Sequence, residues 1–138
     1  MLALMFRAAP LSRERERLAG LSAALESFAP VWLASLRRLF DIGGDPPWAP
    51  LSPGYLREKL AAGYPANILV RTGALRDSIR VAPQGPYLAA TAAAPHAAAH
   101  QYGGPSRNLP ARPFLVMLPD DLRALEEIIA RHIAGDEQ

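Results

Sequence analysis

The sequence contains no cysteine, has Lys59 as its single lysine, and lacks any long run of apolar residues. The absence of cysteine excludes disulfides, thiol chemistry and zinc sites built on thiolates. The apolar runs are shorter than the roughly 18 residues that a membrane-spanning helix needs. The net charge of +2, with a pI of about 9.4, is too small to indicate a nucleic-acid-binding protein. We expect no signal peptide, because the short apolar start has no positive charge before it.

The chain has 138 residues, half of them hydrophobic, which is enough for a core without metal or disulfide cross-links. We therefore predict a single domain over residues 1–138. Its predicted parts are a helical part over 11–40, a Pro/Gly-rich loop and short helix over 41–66, strands and loops over 67–118, and a C-terminal helix over 119–134.

The N-terminal part has apolar residues at helical spacing as far as Phe40, and Ser12 is its predicted N-cap. Pro30 lies inside this pattern and either kinks one long helix or starts a second one. Trp48 is expected to hold the following loop against the core through its large apolar area. A short helix after Ser52 is predicted to end before Gly63.

The middle of the chain predicts a small antiparallel sheet. Residues 78–82 alternate, with Ile79 and Val81 inward, and a turn at 84–86 leads into a second strand over 87–93. Further candidates are a loose start or short strand over 1–10, a brief extended run over 67–70, and a third strand over 114–118. With the two terminal helices, the predicted fold class is α+β.

The C-terminal helix is predicted to begin at Asp120 and Asp121, where carboxylates favour the positive end of the helix dipole, and to stop at Gly135. Its apolar residues recur at helical spacing, and the predicted buried face consists of Leu122, Leu125, Ile128, Ile129 and Ile133.

The most constrained backbone lies between residues 96 and 115. Gly103 and Gly104 permit positive φ angles, and prolines on both sides of Arg112 fix an extended conformation. We interpret this stretch as a sharp bend followed by a stiff segment that locks the fold or contacts a neighbour. A short helix over 94–102 is predicted to precede the bend.

Candidate catalytic residues are few. His96 and His100 are four residues apart, as a metal pair on a helix would be, but Ala97 stands where the zincin pattern has its glutamate. We interpret the pair as packed or interface histidines and predict no metal and no cofactor. No nucleophile elbow and no phosphate loop is present, so we predict no enzyme. Three arginines form a further cluster: Arg71, Arg76 and Arg80. We interpret the cluster as an exposed strand face or one side of a charge-complementary interface, ahead of a site for an anion or an acidic partner.

Four segments, in this order, resemble the phage virion morphogenesis family, which includes the tail-completion proteins of Mu-like and P2-like phages. Residues 48–52, with Tyr55 and Lys59, are similar to W-x-P-L-S…K, and residues 68–79 are similar to I-L-x-x-T-G-x-L-x-x-S-I. Residues 97–104 are similar to Y-A-x-x-H-Q-[FY]-G-G, with His96 in place of the usual aromatic, and residues 110–115 match P-A-R-P-F-L.

The resemblance implies a non-enzymatic structural protein that completes the tail or joins it to the head at the neck of the virion. It implies a homo-oligomeric ring, of six copies to match tail symmetry, assembled in the host cytoplasm. The implied partners are head-side connector or adaptor proteins and the tail terminator or tail tube, with no membrane and no sequence-specific nucleic acid, although the genome passes through the lumen. A tail terminator or another neck connector is the alternative, ahead of a metal-dependent or nucleic-acid-binding protein.

Two groups of residues follow as a hypothesis. The group expected to brace the fold comprises Trp48, Leu51, Leu69, Thr72, Gly73 and Leu75. The group expected to contact a neighbouring copy comprises His100, Gln101, Tyr102, Gly103, Gly104, Arg112, Pro113 and Phe114.

Overall fold

The computed structural model of the protein describes residues 2–7, 15–84, 87–104, 106 and 108–134. In chain order, the elements are β1 (Leu2–Arg7), α1 (Arg15–Ile42), α2 (Pro53–Ala61), α3 (Ala74–Asp77), β2 (Ile79–Gln84), β3 (Tyr87–Ala92), α4 (Ala97–Tyr102) and α5 (Pro119–Ala134). The predicted N-cap Ser12, the turn residues Gly85 and Pro86, and the helix end at Gly135 lie outside the described residues. The α+β prediction is confirmed.

The sheet has three strands in the order β1-β3-β2, all antiparallel. The predicted hairpin of β2 and β3 is confirmed, with Ile79 opposite Ala92. Because β3 is the central strand, its backbone is paired on both edges, which offsets the weak strand preference of its alanines. Ala89 and Ala90, on opposite faces of β3, are both buried.

Two strand predictions are wrong. Residues 114–118 form no strand, and the third strand is β1 at the start of the chain. Residues 67–70 form a turn rather than an extended run: the amide of Val70 donates to the carbonyl of Asn67 at 3.2 Å, and Leu69 has a φ of 63°. A non-glycine residue in this conformation is uncommon and reverses the chain direction locally.

The first helix, α1, continues through Pro30 as one element, which settles the alternative of one helix or two. Its buried face follows the predicted spacing and consists of Leu21, Leu25, Phe28, Trp32, Leu36 and Leu39. This face packs against β2, β3 and α5. Trp32 stacks with Phe28, with their ring centroids 6.2 Å apart.

The C-terminal helix α5 begins as predicted, but its buried stripe is narrower. Leu125 and Ile128 are buried, whereas Leu122 and Ile133 are 40% and 48% exposed. Among the described elements, α1 is the one that α5 contacts extensively, so only the face towards α1 is covered. Asp121 is buried, and its Oδ2 accepts a hydrogen bond from the amide of Leu118 at 2.9 Å, which caps the helix start.

The core joins α1 to the segments around the candidate site. Phe40, at the end of α1, contacts Trp48 edge to face at 5.5 Å and Phe114 at 6.0 Å between ring centroids. Such aromatic contacts stabilise the fold beyond the contribution of the apolar area that the rings bury. In the described residues, no helix has the length and the hydropathy that crossing a membrane requires.

Candidate functional site

Side chains, rather than a neighbouring strand, hold the backbone of residues 112–116, which we call the braced segment. Gln101 on α4 makes three of these contacts: its Oε1 accepts from the amides of Phe114 and Leu115 at 2.9 and 3.0 Å, and its Nε2 donates to the carbonyl of Leu115 at 2.9 Å. This side-chain pairing explains why the segment is not a strand, since a buried backbone must find its partners somewhere.

Two tryptophans complete the bracing. The indole of Trp48 donates to the carbonyl of Pro113 at 2.8 Å, and the indole of Trp32 donates to the carbonyl of Val116 at 2.9 Å. Both indoles are buried, so these hydrogen bonds satisfy a donor and an acceptor away from water. Trp48 therefore has the burial and the contacts that are expected of a residue holding its loop against the core.

Arg112 links the braced segment to the loop before α2. Its guanidinium donates to the carbonyls of Ala49 and Pro50 at 2.8 and 3.2 Å, and its own amide donates to the carbonyl of His100 at 2.8 Å. The side chain is only 6% exposed. Burial lowers the pKa of Arg112, and Tyr55 opposes this shift.

The predicted bend at Gly103 and Gly104 folds back onto residues 109–111. Gly104 and Leu109 exchange two backbone hydrogen bonds, of 2.9 and 3.0 Å. Gly103 has a φ of 79°, and a Cβ atom there would lie 2.9 Å from the backbone nitrogen of Ala111 and from the carbonyl oxygen of Leu109. Only glycine fits this position without displacing the neighbouring chain.

The other predicted bracing residues lie around α3. Gly73 is buried, has a φ of 86° and precedes the helix, where the Thr72 hydroxyl accepts a hydrogen bond from the amide of Ala74 at 3.3 Å. Leu69 and Leu75 are half-buried and pack against the core. Leu51 is also half-buried, but it lines a cleft rather than the core.

That cleft, with a volume of about 750 Å³, brings residues of all four sequence segments together. Its walls come from the loop and helix at 50–59, the turn at 69–71, His96 just before α4, His100 within α4, and residues 108–112. The charged or titratable side chains of the lining are Tyr55, Lys59, Arg71, His96, His100 and Arg112. We call it the cationic cleft, because its described lining contains no aspartate or glutamate.

The positive groups of the cleft help to lower the pKa values of Lys59 and His100. Lys59 as a whole is 5% exposed, and its ammonium donates to the carbonyl of Asn67 at 2.7 Å. Burial, and then the charge of Arg71, lower the pKa of Lys59. Burial is also the largest cause that lowers the pKa of His100, followed by Arg112 and His96. The Nδ1 atom of His100 is buried and has no hydrogen-bond partner in the described part of the protein.

The two histidines line the same cleft but do not form a metal centre with other residues. His96 is the residue immediately before α4 and is exposed, while His100 is half-buried within the helix. Within the described residues, no group of three or more histidines and carboxylates is close enough to hold a metal ion.

The residues predicted to contact a neighbour divide into two sets. Phe114 is fully buried and Arg112 nearly so, and both hold parts of this chain together. Gln101 also holds the chain together, through Phe114 and Leu115. Tyr102 is 68% exposed and Pro113 is also exposed, whereas His100, Gly103 and Gly104 are half-buried. Whether any of them contacts a neighbouring copy stays a prediction.

Sequence reasoning did not assign Trp32 to the bracing of residues 112–116, or Lys59 to a cleft. Trp32 fits the helical apolar pattern, so nothing in its spacing indicates a hydrogen bond to a residue 84 positions later. Lys59 carried a usable signal: it is the single lysine of an arginine-rich chain and lies three residues after Leu56, on the inner side of α2.

The arrangement is that of a small α+β protein in which a braced segment joins two helices and a positively charged cleft. A model of the phage virion morphogenesis family matches residues 7–134, and the chain belongs to this family. Membership indicates a structural or morphogenetic role in the phage virion. Comparisons with curated proteins and with solved structures found no match.

Proposed function

We propose that the protein completes the tail or joins it to the head at the neck of the virion, as a non-enzymatic ring of identical copies. The observation that carries this proposal is the family match, which spans the braced segment and both long helices. Six copies correspond to tail symmetry, and the proposed partners are head-side connector proteins and the tail terminator or tail tube. Identical subunits close into a ring through heterologous contacts, in which two different surfaces of each copy meet.

The geometry around Tyr102 supports such a contact. The ring of Tyr102 is largely exposed. The preceding residue, Gln101, is held in place by hydrogen bonds between its side chain and the amides of Phe114 and Leu115. An exposed aromatic on a rigid backbone loses little entropy on binding and suits the centre of an interface. We therefore place the proposed contact with a neighbour at Tyr102 and assign Phe114 to the core.

The experiment is the mass of the purified full chain in solution, measured with and without isolated tail tubes. We expect a ring, or a monomer that becomes a ring on the tube. Tyr102→Ala should reduce the ring fraction or tube binding while the circular dichroism spectrum is unchanged. The matched control is Val31→Ala, which changes an exposed apolar residue on a different helix, α1. This variant should assemble normally.

A chain that stays monomeric and ignores tail tubes would contradict the proposal. A ring that caps tails but does not restore joining of heads to tails in a complementation assay would favour a tail terminator instead. If the purified chain held stoichiometric zinc and His96→Ala lost it, the result would instead indicate a metal site at His96 and His100.

A further inference from the structure

The lining of the cationic cleft contains one lysine and two arginines, and no carboxylate among the described residues. Lysine and arginine are almost never buried unless they are paired, yet Lys59 and Arg112 are 5% and 6% exposed. Their donors go to neutral backbone carbonyls, of Asn67 for one and of Ala49 and Pro50 for the other. These carbonyls are neutral, and no carboxylate among the described lining residues compensates the positive charge.

Arg71 supplies the contact that a ligand can reach. It is exposed at the cleft, and its guanidinium lies over the ring of Tyr64, 4.7 Å from the ring centroid. Within the described residues, it donates no hydrogen bond and forms no ion pair. The contact with Tyr64 helps to hold the guanidinium in place, and a guanidinium can donate two parallel hydrogen bonds to one carboxylate.

The same cleft also offers a polar group and apolar surface. The Nδ1 atom of His100 is buried without a partner in the described chain, and His96 also lines the cleft. Leu51, Leu69 and Leu109 add apolar surface to the lining. An anion with aliphatic neighbours therefore fits this lining better than a free inorganic ion does.

We propose that the cationic cleft binds an acidic peptide segment of a partner protein, with Arg71 contacting a side-chain carboxylate and the leucines of the cleft contacting the residues beside it. The occupant is a peptide rather than a nucleic acid, because Lys59 and Arg112 are recessed in the walls and cannot reach the phosphates of a duplex. The inference rests on the proposed function only in taking the partner to be another virion protein.

The test uses the full chain labelled with ¹⁵N and two blocked tripeptides, acetyl-Leu-Glu-Leu-amide and its isostere acetyl-Leu-Gln-Leu-amide. We expect the glutamate peptide to shift the resonances of Val70, Arg71 and His100, to bind more weakly as salt is added, and to bind about tenfold more tightly than the glutamine peptide, as one charge-assisted contact implies. Arg71→Gln should remove this difference, and Arg71→Lys should restore part of it.

Arg38→Gln is the matched control, because Arg38 is an exposed arginine on α1 outside the cleft. It should leave peptide binding unchanged. Equal binding of the two peptides, absence of binding by both, or an unchanged affinity in Arg71→Gln would overturn the proposal. Displacement of the glutamate peptide by a short DNA duplex or by inorganic phosphate at lower concentration would overturn it in favour of a phosphate ligand. Since these measurements need no assembly, their failure is distinct from failure of ring formation.

Discussion

The side chain of Gln101 pairs with the backbone of Leu115 as a neighbouring β-strand would. Its amide nitrogen donates to the carbonyl of Leu115 at 2.9 Å, and its amide oxygen accepts from the amide of the same residue at 3.0 Å. One side chain thus satisfies both backbone groups of a buried residue, and it also accepts from Phe114. The braced segment is fixed by α4 without belonging to the sheet.

Replacing Gln101 by alanine should destabilise the chain. Three hydrogen bonds are lost and buried backbone groups are left unpaired, so we expect the free energy of unfolding to fall by about 2–4 kcal/mol. Urea denaturation followed by tryptophan fluorescence measures this change. Tyr102→Ala, next along the helix but exposed, should lie within about 0.5 kcal/mol of wild type. Equal effects of the two substitutions would contradict the bracing role of Gln101.

Trp48 should show two separable contributions. Trp48→Phe keeps a ring against Phe40 but loses the hydrogen bond to Pro113, and we expect a cost of about 1 kcal/mol. Trp48→Ala also leaves a cavity and should cost about 3–5 kcal/mol. Thermal and denaturant unfolding distinguish the two variants. If phenylalanine proves as costly as alanine, the hydrogen bond rather than the packing dominates.

Gly103 should not tolerate a side chain. Gly103→Ala combines a φ of 79° and a ψ of 172° with a Cβ atom at 2.9 Å from two backbone atoms. We therefore expect the free energy of unfolding to fall by about 1–3 kcal/mol. The matched control is Gly54→Ala in α2, where a Cβ atom meets nothing within 4 Å. Since alanine favours helix over glycine, this control should be neutral or stabilising. A Gly103→Ala melting temperature equal to that of the control would show that the bend relaxes freely.

The stability of the chain should depend on pH through His100. Its pKa is below the ordinary value of 6.5, because burial, Arg112 and His96 disfavour the imidazolium. Below pH 6.5, the unfolded chain binds more protons at this histidine than the folded chain does. The stabilisation that neutral His100 contributes above pH 6.5 is therefore lost as the pH falls through the folded-state pKa.

The measurement is the melting temperature between about pH 7.5 and about pH 5.5, where we expect a decrease on acidification. The decrease should be smaller in His100→Asn. His96→Asn should retain most of it, because His96 is the smallest of the three causes. A pH dependence that is the same in His100→Asn and in wild type would assign the effect to other groups.

The sequence predicted the elements whose signals are local. The spacing of apolar residues placed α1 and α5, and alternation with a turn placed the β2–β3 hairpin. The predicted limits after Ser52 and before Gly63 placed α2. Four ordered motifs also indicated the family, and the family match confirmed it.

The tertiary structure decided what depends on distant partners. Residues 114–118 carry a strand-like apolar run, yet Gln101 and the two tryptophans take up the backbone groups that a strand would use. Leu122 and Ile133 satisfy helical periodicity, but α5 has too narrow a contact with α1 to bury them. Periodicity reports which face can be apolar and not how much of it a neighbour covers.

The cationic cleft is the clearest case of this division. By itself, the sequence determined that the chain has one lysine, a row of arginines and an HAAAH run, each with an ordinary explanation as a solvated or packed group. Only the fold brings Lys59, Arg71 and Arg112 from three separate segments to one concave surface without a carboxylate among the described residues that line it. The physical reason is that charge compensation depends on distances in space, which residue spacing along the chain does not fix beyond a helical turn or a strand pair.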